Sequence, residues 1–153
     1  MKIVVLKFGG TSVGTIEKIK KVTDIIIEHK KKKNKVIVVS SAMSGVTNDL
    51  IKKSKQISNN FIDSEYDVLV SSGEQVACSL IAGRLNHKGF KSRSWLGWQI
   101  PIFTNGPYTN SRIQQVNKNK LLRFLKEGGI PIITGFQGVN MNERVTTIRR
   151  GGS

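Results

Sequence analysis

The chain holds a single cysteine, Cys78, among 153 residues, so no internal disulfide and no cysteine-based zinc framework is open to it. A reducing compartment is the simpler setting for such usage. Acidic residues are scarce, with 10 Asp and Glu against 25 Lys and Arg and a formal charge of +15. Aromatic residues make up only 7% of the chain, and no aromatic stripe accompanies its basic run. That removes the stacking platform on which single-stranded nucleic acids are held. No apolar run approaches the roughly 20 residues needed to span a bilayer. The apolar part of Lys2-Ile3-Val4-Val5-Leu6-Lys7 is too short for a secretory signal. A soluble, cytoplasmic protein with no membrane partner is the expectation.

Hydrophobic residues at 38% and 15 glycines supply enough for a substantial core. The length fits one domain. Much of the positive charge sits in Lys30-Lys31-Lys32-Lys33 and Lys35, at the end of a predicted helix. Cations there complement the helix dipole. A solvated helix end is therefore preferred to a nucleic-acid site.

Residues 2–7 read as a buried strand, followed by the turn Phe8-Gly9-Gly10-Thr11-Ser12-Val13-Gly14. A helix is predicted from Thr15, its N-cap, to Lys33, with Ile16, Ile19, Val22, Thr23 and Ile26 on the buried face. Val36–Val39 is a second apolar strand, and a helix from Val46 or Thr47 to about Ser58 follows. Residues 65–86 form one long helix carrying Val68, Leu69, Val76, Leu80 and Leu85, stopped at Gly89. Strands are predicted at Phe90–Trp95 and Ile130–Thr134, with a helix at Asn117–Glu127 between them. Residues 96–110 read as irregular, with one short strand around Ile102-Phe103. Gln137–Val139 and Val145–Ile148 suit a hairpin. Strand and helix alternate, as in a parallel sheet covered by helices.

Such sheets present ligand-binding loops at their carboxyl edge. Three loops here follow apolar strands and are rich in small residues: Gly9-Gly10-Thr11-Ser12, Ser41-Ala42-Met43-Ser44-Gly45 and Gly135-Phe136-Gln137-Gly138. Glycine lets backbone N–H groups close on a phosphate. Lys7 ends the first strand, where it could place an ammonium beside such a cradle, and loop amides plus a lysine suit phosphoryl transfer. The glycine spacing fits neither the Walker loop nor the dinucleotide fingerprint. Chemistry alone leaves phosphate binding and an ordinary tight turn both open.

The octapeptide Lys7–Gly14 resembles the opening motif of aspartate kinases in the amino acid kinase family. Four further segments match in order: Val39–Asn48, Ser72-Gly73-Glu74, Gly135–Gly138 and Thr146–Ser153. The resemblance implies a three-layer αβα sandwich of the carbamate kinase-like type. It implies transfer of the ATP γ-phosphate, with Mg2+, to the side-chain carboxylate of L-aspartate. Lys7, Gly9 and Gly10 would act on the migrating phosphoryl group, with Thr11 and Ser12 completing the nucleotide loop. Thr47 and Arg150 would bind substrate carboxylates, the arginine as a planar fork. Glu74 would meet the substrate ammonium, and Ser41 would lie beside the substrate. No metal ligand is assigned to the protein. The competing readings are a solvated mid-helix face for Glu74, helix capping for Ser41 and Thr47, core packing for Cys78, Trp95 and Trp98, and a loop position for His87.

The family pattern Leu-Gly-Arg-Gly-Gly-Ser-Asp is replaced here by Ile148-Arg149-Arg150-Gly151-Gly152-Ser153, with Arg149 at a family glycine. Residues 1–153 are thus expected to be a partial amino acid kinase domain, its substrate-side half, without the nucleotide half and regulatory modules. Three alternatives follow: an enzyme completed by a second chain, a decayed fragment, or a basic nucleic-acid-binding module.

Overall fold

Alternating apolar runs and amphipathic stretches become strands and crossover helices. The computed structural model describes residues 2–149. Strands β1 (Ile3–Phe8) and β2 (Lys35–Ser40) are parallel, pairing Ile3 with Lys35 through Phe8 with Ser40. The crossover is α1 (Ile16–Lys31), whose N-cap Thr15 accepts the Lys18 N–H through its hydroxyl at 3.2 Å. Ile19, Val22, Thr23 and Ile26 are buried as expected, whereas Ile16 is exposed in the first turn, ahead of the region that α1 covers. His29, Lys30 and Lys31 occupy the last turn, where cations suit the dipole.

Helices α2 (Val46–Ile57) and α3 (Asp63–His87) follow, then β3 (Ser92–Trp95), β4 (Ile102–Asn105) and β5 (Arg112–Val116). Helix α4 (Asn119–Lys126) leads to β6 (Ile130–Thr134), β7 (Gln137–Val139) and β8 (Val145–Thr147). The first sheet has the order β1-β2-β6-β3, all parallel. One face packs on α1 and α3 through Val36, Val38, Ile130 and Ile132. The other face packs on α4 around Trp95, Ile133 and Leu121. These are the three layers of the expected αβα sandwich.

Three expectations change. The first strand is an edge rather than a buried one: Ile3 is 48% and Val5 60% exposed, because among the described residues β1 has a single strand neighbour and α1 covers only its other face. Residues 96–116 contribute to a second sheet, β5-β4-β7-β8, in which β4 and β5 are antiparallel and Phe103 pairs in parallel with Val139. The β7/β8 hairpin forms as anticipated. On α3, the inward face is Asp67, Val70, Ser71, Gly73, Glu74, Ala77, Cys78, Ile81 and Leu85, while Val68, Val76 and Leu80 point outward. Apolar residues lie all around this helix, so their spacing does not choose a face.

Gly83 sits on the outer side of α3, and a Cβ there would meet nothing within 4 Å. Gly83→Ala is therefore expected to stabilise the fold by about 1 kcal/mol through helix propensity. Urea unfolding measures this, and a loss of stability would contradict the assigned face.

Candidate active site

Parallel pairing brings the carboxyl ends of β1, β2 and β6 to one edge, with Phe8 level with Ser40 and Ser40 with Thr134. Hydrogen bonds stitch the emerging loops together. Ser41 N–H donates to Phe8 O at 3.0 Å, and Gly135 N–H donates to Ser40 O at 2.9 Å. The first loop closes on itself through Ser12 N–H to Gly9 O at 2.9 Å. A Cβ on Gly10 would lie 3.0 Å from Ala42 O, so a side chain there would press the first two loops apart.

Between these loops lies a cleft of about 280 Å³. Gly10, Ser41, Thr47 and Glu74, all singled out from the sequence, line it together with Asn48 and Phe136. Glu74 is only 3% exposed, so it is no solvated helix face. Its Oε1 accepts the Ala42 N–H at 3.3 Å, and its Oε2 is buried with no hydrogen-bond partner among the described residues. Burial pushes the carboxyl pKa up to about 7, against smaller opposing effects of backbone hydrogen bonding at Glu74 and from Ala42. An unsatisfied carboxylate in a cleft wall suits a cationic ligand group.

Thr47 is the second residue of α2, whose N-cap is Gly45 at φ 85° with no side-chain cap. Neither Ser41 nor Thr47 is therefore the capping residue. Because Gly45, Thr47 and Asn48 all line the cleft, the positive end of the α2 dipole lies beside it.

Lys7, Gly9, Thr11 and Ser12 are exposed at the same sheet edge but do not line this cleft. Lys7 is paired with Val39 one residue before the end of β1. Lys18, not singled out from the sequence, donates to Thr11 O at 2.9 Å and braces the loop. Arg150 lies outside the described residues. The segment approaching it is described: Ile148 is buried and Arg149, at the family glycine, is exposed.

Phe136 is the functional candidate that sequence reasoning passed over within a loop it had marked. It adopts φ 64°, an unusual value for an aromatic residue, and its carbonyl accepts the Ile148 N–H at 3.0 Å. The glycine-flanked setting was the available signal. Cys78 is fully buried, with its thiol pushed up to about 12 by burial and then by the nearby Glu74 charge, so it is an inert core thiol. His87 is the exposed last residue of α3 rather than part of a loop. Trp95 packs edge-on against Phe124 at 5.9 Å, whereas Trp98 is exposed. Among the described residues no helix is long and apolar enough to cross a membrane.

The amino acid kinase family model matches residues 2–153. An aspartokinase of Geobacillus stearothermophilus is 47% identical over 153 residues, which is 100% of this chain and 38% of that protein. An aspartate kinase from Synechocystis superposes with a TM-score of 0.80 at 35% identity, over 100% of this chain and 25% of the other. The aspartokinase III of E. coli, solved in complex with aspartate and ADP, gives a TM-score of 0.84 over 99% of this chain and 44% of its own. Its 22% identity speaks to the fold. The chain spans 35–39% of the length of the curated relatives compared. The match of that family model to residues 2–153 places this chain in the amino acid kinase family.

Proposed function

We propose that this chain forms the aspartate-binding part of an aspartate kinase, which converts L-aspartate and ATP to 4-phospho-L-aspartate. That reaction opens the routes to lysine, threonine, methionine and diaminopimelate. The observation that carries the reading is the buried, half-satisfied Glu74 carboxylate in the cleft, on a chain whose curated relatives are aspartokinases. A zwitterionic amino acid dicarboxylate supplies what that cleft lacks.

In this reading Glu74 holds the substrate ammonium. Thr47 and Arg150 take the carboxylates, and Ser41 flanks them. The side-chain carboxylate is already a nucleophile, so what the protein supplies is in-line placement. The Gly9 and Gly10 amides and the Lys7 ammonium act on the phosphoryl oxygens, with Thr11 and Ser12 alongside. Among the described residues, a Cβ at Gly9 would meet no atom within 4 Å beyond its chain neighbours, which leaves open space for a phosphate to approach the backbone. Magnesium, when bound with the nucleotide, neutralises phosphate charge. Among the described residues no group of three or more His, Cys, Asp or Glu side chains converges to hold a metal.

Residues 1–153 make up a partial kinase domain on this account. The adenosine pocket belongs to the portion that the longer relatives carry, whether joined to this chain or supplied by a complementing one.

Calorimetric titration of the purified chain tests the reading. L-aspartate is expected to bind, and succinate, which lacks the ammonium, to bind about 10- to 100-fold more weakly through loss of a charged hydrogen bond. Equal affinities would remove the role of Glu74. No L-aspartate binding at all would remove the reading.

A further inference from the structure

Helix α3 carries a second buried carboxylate. Asp67 lies two turns before Glu74 on the same inward face and is 0% exposed. Its Oδ2 accepts the Thr147 N–H at 2.8 Å, and its Oδ1 accepts the Thr147 hydroxyl at 2.6 Å. Both oxygens also accept the Thr109 N–H at 3.0 Å. Its donors thus come from two segments distant in sequence: strand β8 and the 106–111 loop.

Those bonds continue toward the cleft. Thr109 is held at φ 66°, a backbone state few threonines adopt. Ser111 N–H donates to Thr147 O at 3.0 Å, and Ile148 N–H donates to Phe136 O in the cleft wall at 3.0 Å. One turn along α3 from Asp67, Ser71 O accepts the Gln137 side-chain amide at 2.9 Å, which fixes β7 to the same helix. Glu74 then reaches Ala42. One helix face therefore fixes β8, β7, which follows the cleft-lining Phe136, and the Ser41–Gly45 loop.

We infer that Asp67 is a positioning residue for substrate binding: it pins Thr147, and with it Ile148 and its bond to the cleft-lining Phe136, against the helix that presents Glu74. The inference rests on the aspartate-binding reading. A carboxylate is required because all three donor groups point at it. An asparagine would offer one acceptor oxygen and turn an NH2 toward an N–H, orphaning at least one donor.

The test uses Asp67→Asn and Thr147→Val, each titrated with L-aspartate and followed by amide hydrogen exchange. Asp67→Asn is expected to weaken L-aspartate binding by about 10-fold or more, and Thr147→Val, which loses one hydroxyl, by about 3-fold. In a Thr147→Val background, Asp67→Asn is expected to weaken binding less than it does alone, because the two side chains are bonded to each other. Exchange at Thr109, Thr147 and Ile148 is expected to quicken about 10-fold or more while Ala42 is unchanged. Affinity equal to wild type in both variants, full additivity of the two substitutions, or uniform acceleration of exchange would each overturn the inference. Thr147→Val carries the test if Asp67→Asn does not fold. Absence of binding by the wild-type chain would instead defeat the functional reading, and the exchange pattern decides on Asp67 without any ligand.

Discussion

Replacing Glu74 by Gln is expected to lower L-aspartate affinity by about 10- to 100-fold and, at the same time, to stabilise the unliganded protein at pH 8. The two effects share one cause. In the folded chain the carboxyl keeps its proton up to a pH of about 7, whereas the unfolded chain releases it near 4.5. Between those values the folded state binds more protons, so stability falls as pH rises. Above about 7 the penalty is fully present and constant, on the order of 3 kcal/mol. Gln keeps an oxygen for the Ala42 N–H, and its NH2 takes the place of an oxygen that has no partner among the described residues, so no new orphan is created there. Thermal melts are expected to coincide near pH 4, diverge through the window, and differ by about 5–10 °C at pH 8. A difference independent of pH would sink this explanation. The buried acid thus destabilises the empty site and is returned to favour by a cationic ligand, as expected where function and stability compete.

The second large effect lies in the smaller sheet. A Cβ at Gly138 would fall 2.4 Å from Thr104 Cγ2 and 2.6 Å from the Ile102 carbonyl oxygen. The second of these is strand backbone and has no rotamer to escape into. Gly138→Ala must therefore separate β7 from β4, which are joined through the Phe103–Val139 pair. It also shifts the neighbouring Gln137, whose side chain holds both Ser71 O and Gly97 N–H. The expected loss is about 3 kcal/mol, at the upper end of overpacking effects. It is read as a lower urea midpoint with an unchanged slope. A loss below about 0.5 kcal/mol, as at an ordinary surface site, would mean the strands are not so closely apposed.

How much of this was legible in the sequence follows from how local each signal is. The β1–α1–β2 unit could be read because Ile3–Leu6 and Val36–Val39 are apolar runs and Thr15 is a capping residue in the right place. That β1 is an edge could not, since strand order is set by pairing partners far along the chain. The second sheet was missed because Arg112–Val116 is exposed throughout and has little apolar character, so its strand state depends on pairing with β4. At the site, the Ser-Gly-Glu motif led to Glu74, and the structure adds why glycine precedes it: a Cβ on Gly73 would lie 2.9 Å from Ala42 Cβ. Asp67 passed unnoticed because an acid in a helix reads as solvated until the distant Thr109 and Thr147 are brought to it. The left-handed conformations of Phe136 and Thr109 accompany long-range hydrogen bonds, Ile148 N–H to Phe136 O and Thr109 N–H to Asp67, of which the glycines around Phe136 are the sole local trace.

The most direct measurement is a pH titration of the Glu74 side-chain carboxyl carbon by NMR, with and without saturating L-aspartate. The account gives an apparent pKa of about 7 for the unliganded chain. With ligand it gives a marked fall, because an ammonium beside the carboxylate favours its charged form. Titration near 4.5 in the unliganded chain, or one midpoint under both conditions, would contradict it.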